Sequence, residues 1–193
     1  MASGSAAVSS RAAGRADPPT PWRYDRTAVV LHWLLAILLT LTTLIGWRMM
    51  WIEHQPGAER WFDLHKSIGL VIATLVAVRL AWRLGHRPEP LVAGPRWEAR
   101  LARIVHGLLY VGMVALPITG YLGAAYSKAG VQWFGLATPR WTPPDHDTAE
   151  RFFTVHAVLL WTTVTLVVVH VAGALRRLLV ERDGSFRRMW FGR

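Results

Sequence analysis

The sequence predicts an all-α membrane protein, a four-transmembrane-helix bundle with both termini in the cytoplasm. Three observations predict it. The apolar residues fall into four blocks of about twenty, the length that crosses the hydrocarbon core of a bilayer. The 193-residue chain is 52% hydrophobic, with mean hydropathy +0.25 and eleven Trp, too apolar for a soluble domain of this size. Arginines crowd some of the connections between blocks and avoid others, which orients the bundle.

Residues 1–21 are mostly Ala, Ser, Gly and Arg with a few Pro, and bury too little surface to order themselves, so a disordered tail is expected. The membrane domain is expected over 22–178 and a basic cytoplasmic tail over 179–193. The first span runs from about Ala28 to Met49, with His32 one turn inside and Gly46, Trp47 and Trp51 marking the far interface. The second runs from about Phe62 to Trp82, with His65 and Lys66 at its start and Arg79 near its end. Both cations are long enough to snorkel. Pro88, Pro90 and Pro95 then preclude a continuous helix. The third span, about Leu101 to Tyr126, contains His106, Gly112, Pro117, Gly120 and Gly123, residues tolerated where membrane helices pack closely. The connection 127–151, with Trp133, Phe134, Trp141 and His146, reads as a surface loop. The fourth span is 152–175, and arginines follow it.

The net charge of +10 would suggest nucleic acid in a soluble protein. Here the basic residues lie beside apolar spans, so anionic lipid headgroups and topology account for them. The chain has no Cys, which excludes disulfides, thiolate zinc, iron–sulfur clusters and thiol catalysis. The second connection and the C-terminal tail are rich in Arg, whereas the first and third connections are mixed or acidic. The positive-inside rule therefore places both termini in the cytoplasm.

Depth follows from that orientation. His156 and His170 are fourteen residues apart, about 21 Å along a helix and roughly 40° short of four turns, so they share a face at opposite depths. His32 falls level with His170 near the inner surface, and His65 level with His156 near the outer one. Ionisable residues within a span are costly and usually functional. Two imidazoles from different helices at one depth can fill both axial positions of a haem iron, leaving an electron carrier rather than an oxygen binder. Zinc would call for three or four ligands, and no carboxylate stands at either depth. Ala36, Gly69 and Gly173, one turn from the candidate ligands, would admit a flat macrocycle, and close helix packing uses such residues as well. Arg79 and Lys66 stand at depths suited to the propionates of an inner and an outer haem, although the plain snorkelling-anchor reading is slightly favoured. His106, near the inner face, is open to three roles: ligand, propionate donor or proton shuttle for a quinone, with a supporting or quinone-side role favoured. His54, His86 and His146 fall in connections.

The stretches LHWLLA around His32, LHKSIGLVIATLVAVRLAWR around His65, HGLLYVGMVALPITGY, QWFGLATP and TVHAVLLWTTVTLVVVHVAG resemble the bacterial cytochrome b561 family of four-helix di-haem membrane proteins, which includes superoxide oxidase. The resemblance covers nearly everything from Trp22 to Arg177. It implies two haem b groups with axial ligands at His32, His65, His156 and His170. It further implies electron transfer in the bacterial inner membrane from superoxide, or another small donor, to ubiquinone. The competing function is a cytochrome b subunit passing electrons from a partner dehydrogenase or hydrogenase to quinone. The short first connection offers such a partner little surface.

Overall fold

A computed structural model of the chain describes residues 23–86, 95–182, 184 and 186–190. The tail expected over 1–21 lies outside the described residues, as do Pro88 and Pro90 of the second connection. Four helices dominate: α1 (Arg26–Trp51), α2 (Glu59–Gly85), α3 (Arg96–Tyr126) and α4 (His146–Arg176). Each is long and apolar enough to cross a membrane. At 1.5 Å per residue even the shortest extends about 39 Å, more than the hydrocarbon core.

Every helix runs past the expected span because its ends are polar helix rather than loop. The Asp25 carboxylate caps α1 by accepting the Ala28 amide at 2.9 Å, and it also accepts the Trp82 indole N–H at 3.1 Å, tying α1 to α2. Pro95 sits at the N-cap of α3, where its fixed φ suits a helix start. Asp145 caps α4, accepting both the amide and the hydroxyl of Thr148. Those bonds, the hydroxyl's first, hold its carboxyl below the usual carboxylate range. His146, expected in a connection, is therefore the first residue of a helix. Pro117 stays inside α3 without ending it.

The helices pair as two hairpins, α1 with α2 and α3 with α4, joined along α2 and α3. Leu35, Ile72 and Val76 form a buried cluster between α1 and α2. The α3–α4 seam is closed by glycine. A Cβ on Gly112 would lie 2.5 Å from the Thr163 hydroxyl, and one on Gly123 would lie 2.6 Å from the Phe153 ring. Outward faces carry exposed Ile37, Val111, Val158 and Val168, the surface a bilayer would cover.

The third connection has more structure than a surface loop. Gln132–Trp133 (β1) pairs antiparallel with Leu136–Ala137 (β2) across a two-residue turn, Phe134–Gly135, both at positive φ. This hairpin is held down on α2. The fully buried Ser67 hydroxyl accepts the Phe134 amide at 2.8 Å, and the Lys66 ammonium donates to the Gly130 carbonyl at 3.2 Å. At the opposite end, where α1 begins and α4 finishes, buried Glu98 accepts from Arg176 at 2.9 Å and Arg177 at 3.5 Å. A π-helical turn (Arg177–Glu181) and a 3-10 turn (Phe186–Met189) follow α4, and the Met189 carbonyl accepts the Trp33 indole N–H at 2.7 Å.

Candidate functional site

The helix ends define two levels: a hairpin end beneath β1 and β2, and a termini end near Asp25 and Arg176. Helix α4 contributes one imidazole to each. At the hairpin end His156 faces His65 of α2, with ring centres 6.2 Å apart and planes at 79°. At the termini end His170 faces His32 of α1, again at 6.2 Å, with planes at 75°. The level pairs expected from topology are thus adjacent in space.

An imidazole nitrogen binds a transition metal at about 2.0–2.1 Å and lies roughly 1.2 Å from its ring centre. Two rings on opposite sides of one metal therefore stand about 6.4 Å apart. Both observed separations fit. His106 of α3 comes closer to His170, with centres 5.1 Å apart and planes at 72°, short of that opposed arrangement. Its side chain is exposed on the flank of the bundle. Among the described residues no three His, Asp or Glu side chains converge as a chelating group. A macrocycle that supplies four nitrogens of its own would need only two more, which the rings of a pair would provide.

The surroundings of the two pairs differ. At the hairpin end each imidazole meets a main-chain carbonyl: His65 Nδ1 lies 3.1 Å from the Thr42 oxygen, and His156 Nδ1 lies 2.9 Å from the Leu116 oxygen. A carbonyl accepts only, so Nδ1 carries the proton and the Nε2 lone pair is left for a metal. Thr119 Oγ1 lies 3.2 Å from the same His156 nitrogen. At the termini end Arg79 reaches across from α2, with Nη1 donating to the Ala28 carbonyl at 3.3 Å and Nη2 placed 3.3 Å from His32 Nδ1. Lys66 is engaged with Asp63 at 2.8 Å as well as with Gly130.

Of the small residues expected near the ligands, Gly69 and Gly173 have no atom within 4 Å of where a Cβ would sit. The glycines in contact with imidazoles are Gly46 and Gly120. The Thr42 and Leu116 carbonyls were not anticipated, because main-chain acceptors leave no mark in residue type. Their one signal is a glycine four positions on.

A model of the prokaryotic cytochrome b561 family matches residues 23–192, almost the whole chain. The chain belongs to the prokaryotic cytochrome b561 family. As a cytochrome b561 it is a multi-pass membrane electron carrier that binds haem b. It is 30% identical to cytochrome b561 homolog 2 of Escherichia coli (strain K12), over 88% of this chain and 92% of that one. It is 23% identical to cytochrome b561 homolog 1 of the same organism, over 86% and 96%. To the probable superoxide oxidase CybB of Yersinia pestis it is 27% identical, over 86% and 95%.

Proposed function

We propose that this cytochrome b561 carries single electrons from superoxide, or another small one-electron donor, to ubiquinone through two b haems stacked along α4. The observation that supports this reading most is the repeated separation of 6.2 Å between facing imidazoles at two depths. His65 and His156 would hold one haem, His32 and His170 the other. When bound, haem b supplies a reversible one-electron iron couple.

The chain's own residues do the rest. The helices mount the imidazoles on rigid elements. Arg79 at the termini end and Lys66 at the hairpin end would be cations for the haem propionates. His106, exposed on α3 beside His170, stands where a quinone arriving through the bilayer would meet it, and an imidazole can deliver protons near neutral pH. Two superoxide ions each lose one electron and leave as dioxygen. One quinone gains those two electrons and two protons and leaves as quinol. The name of the Yersinia relative supports superoxide as the donor. The arginine-rich ends support the bacterial inner membrane, with both termini cytoplasmic.

The test is a coupled assay on the purified protein with a superoxide source and a soluble ubiquinone. Quinol should form in step with superoxide loss, without a protein partner. His106→Ala should keep both haems and slow quinol formation by about a hundredfold, the low end for removal of a proton-transfer group. Quinol formation that requires a dehydrogenase or hydrogenase would favour the subunit reading instead.

A further inference from the structure

We infer that Gly46 and Gly120 are positioning residues, a matched pair of seats that hold the two hairpin-end imidazoles against main-chain carbonyls and thereby set the reduction potential at that end. The inference rests on the assignment of His65 and His156 as haem ligands.

In an α-helix the side chain at position i+4 leans back toward the N-terminus and flanks the carbonyl of residue i. The chain shows this directly on α1, where the Thr40 hydroxyl donates to the Ala36 carbonyl and the Thr43 hydroxyl to the Leu39 carbonyl, each at 2.8 Å. Gly46 is the i+4 residue for Thr42, and Gly120 is the i+4 residue for Leu116. With no side chain at that position, an imidazole from the neighbouring helix reaches each carbonyl; at Leu116 it shares the oxygen with the Thr119 hydroxyl, which donates to it at 3.0 Å. A Cβ on Gly46 would lie 3.1 Å from Cε1 and 3.3 Å from Nδ1 of His65. A Cβ on Gly120 would lie 3.1 Å from Cε1 and 3.2 Å from Nδ1 of His156. The same device thus occurs twice, α1 receiving a ring from α2 and α3 receiving one from α4. The described bonds of His32 include no such carbonyl; its Nδ1 faces Arg79.

A carbonyl that accepts the Nδ1 proton makes the imidazole a more basic ligand, which stabilises the oxidised metal and lowers its potential. An added methyl group would push the ring off the carbonyl by a few tenths of an ångström, weaken that bond and raise the potential. The effect should be local, because the seats touch only the hairpin-end rings.

The experiment is an optical redox titration of the haem-loaded protein and of its Gly46→Ala and Gly120→Ala variants. The hairpin-end component is identified as the one lost in His156→Ala. Each glycine variant should move that component to higher potential and leave the other in place; selective loss of the hairpin-end haem supports the seats equally. Unmoved midpoints, or equal movement of both, would overturn the inference while leaving the haem assignment standing. A wild-type protein without haem, or a His156→Ala variant that keeps both haems, overturns the assignment and the seats together. A readout on unmodified protein covers variants that do not fold. Electron–nuclear double resonance of the oxidised hairpin-end haem should detect ligand Nδ1 protons that exchange slowly in heavy water. Prompt exchange at both ligands would overturn the seats.

Discussion

His156 and His170 are the two residues whose spacing carries most of the inference, because one helix face presents both. Each finds a ring from a different helix, His65 on α2 and His32 on α1. Replacing one should leave the other pair whole. His156→Ala is expected to remove the hairpin-end haem and His170→Ala the termini-end haem, each leaving roughly half of the b-type absorbance, read by reduced-minus-oxidised spectroscopy. The pairing was legible because helix periodicity and span direction fix depth. Partners that lack a residue signature were not. Only the glycine four positions on sets the Thr42 carbonyl apart from its neighbours, and from sequence Gly46 reads as an interface marker, whereas the His65 ring lies against it. Lys66 was legible as a cation at the right depth, but its engagement with Asp63 and the Gly130 carbonyl depends on how the third connection folds back.

At the scale of elements, the four spans were legible from hydropathy, and their ends were not. Hydropathy marks where lipid contact stops, whereas a helix continues until its backbone finds a cap. Asp145 supplies that cap seven residues before the last apolar block, and Pro95 opens α3 six residues before its own. The hairpin over Gln132–Ala137 was missed for a physical reason. Its turn places Phe134 at φ 47°, a left-handed conformation that costs a non-glycine residue about 1–2 kcal/mol. The usual Asn-Gly signal of such a turn is absent because Phe stands where Asn would. The bond from the Phe134 amide to Ser67 helps to offset that strain. Phe134→Asn, which keeps the amide and tolerates positive φ, should therefore stabilise the protein by about 1 kcal/mol in detergent, seen as a raised thermal midpoint. An unchanged or lowered midpoint would mean the Phe134 ring itself contributes to the packing.

At the scale of the whole molecule, an even number of spans brings the start of α1 and the end of α4 to one face, where Trp33 bonds the Met189 carbonyl and Glu98 gathers Arg176 and Arg177. The proposed orientation, from the arginine distribution, puts that face in the cytoplasm, so a C-terminal fusion to a fluorescent protein that matures only in the cytoplasm should be bright. A dark fusion at normal expression would invert the bundle, and with it the side from which the proposed superoxide donor would approach. Inversion would leave the two imidazole pairs as they are, since their geometry depends on helix packing and not on the sign of the membrane. The central claim concerns those pairs, and the most direct test is haem content per chain, by pyridine haemochromogen against protein concentration, after expression with haem in excess. The account predicts two haem b per chain; one, or none, would contradict it.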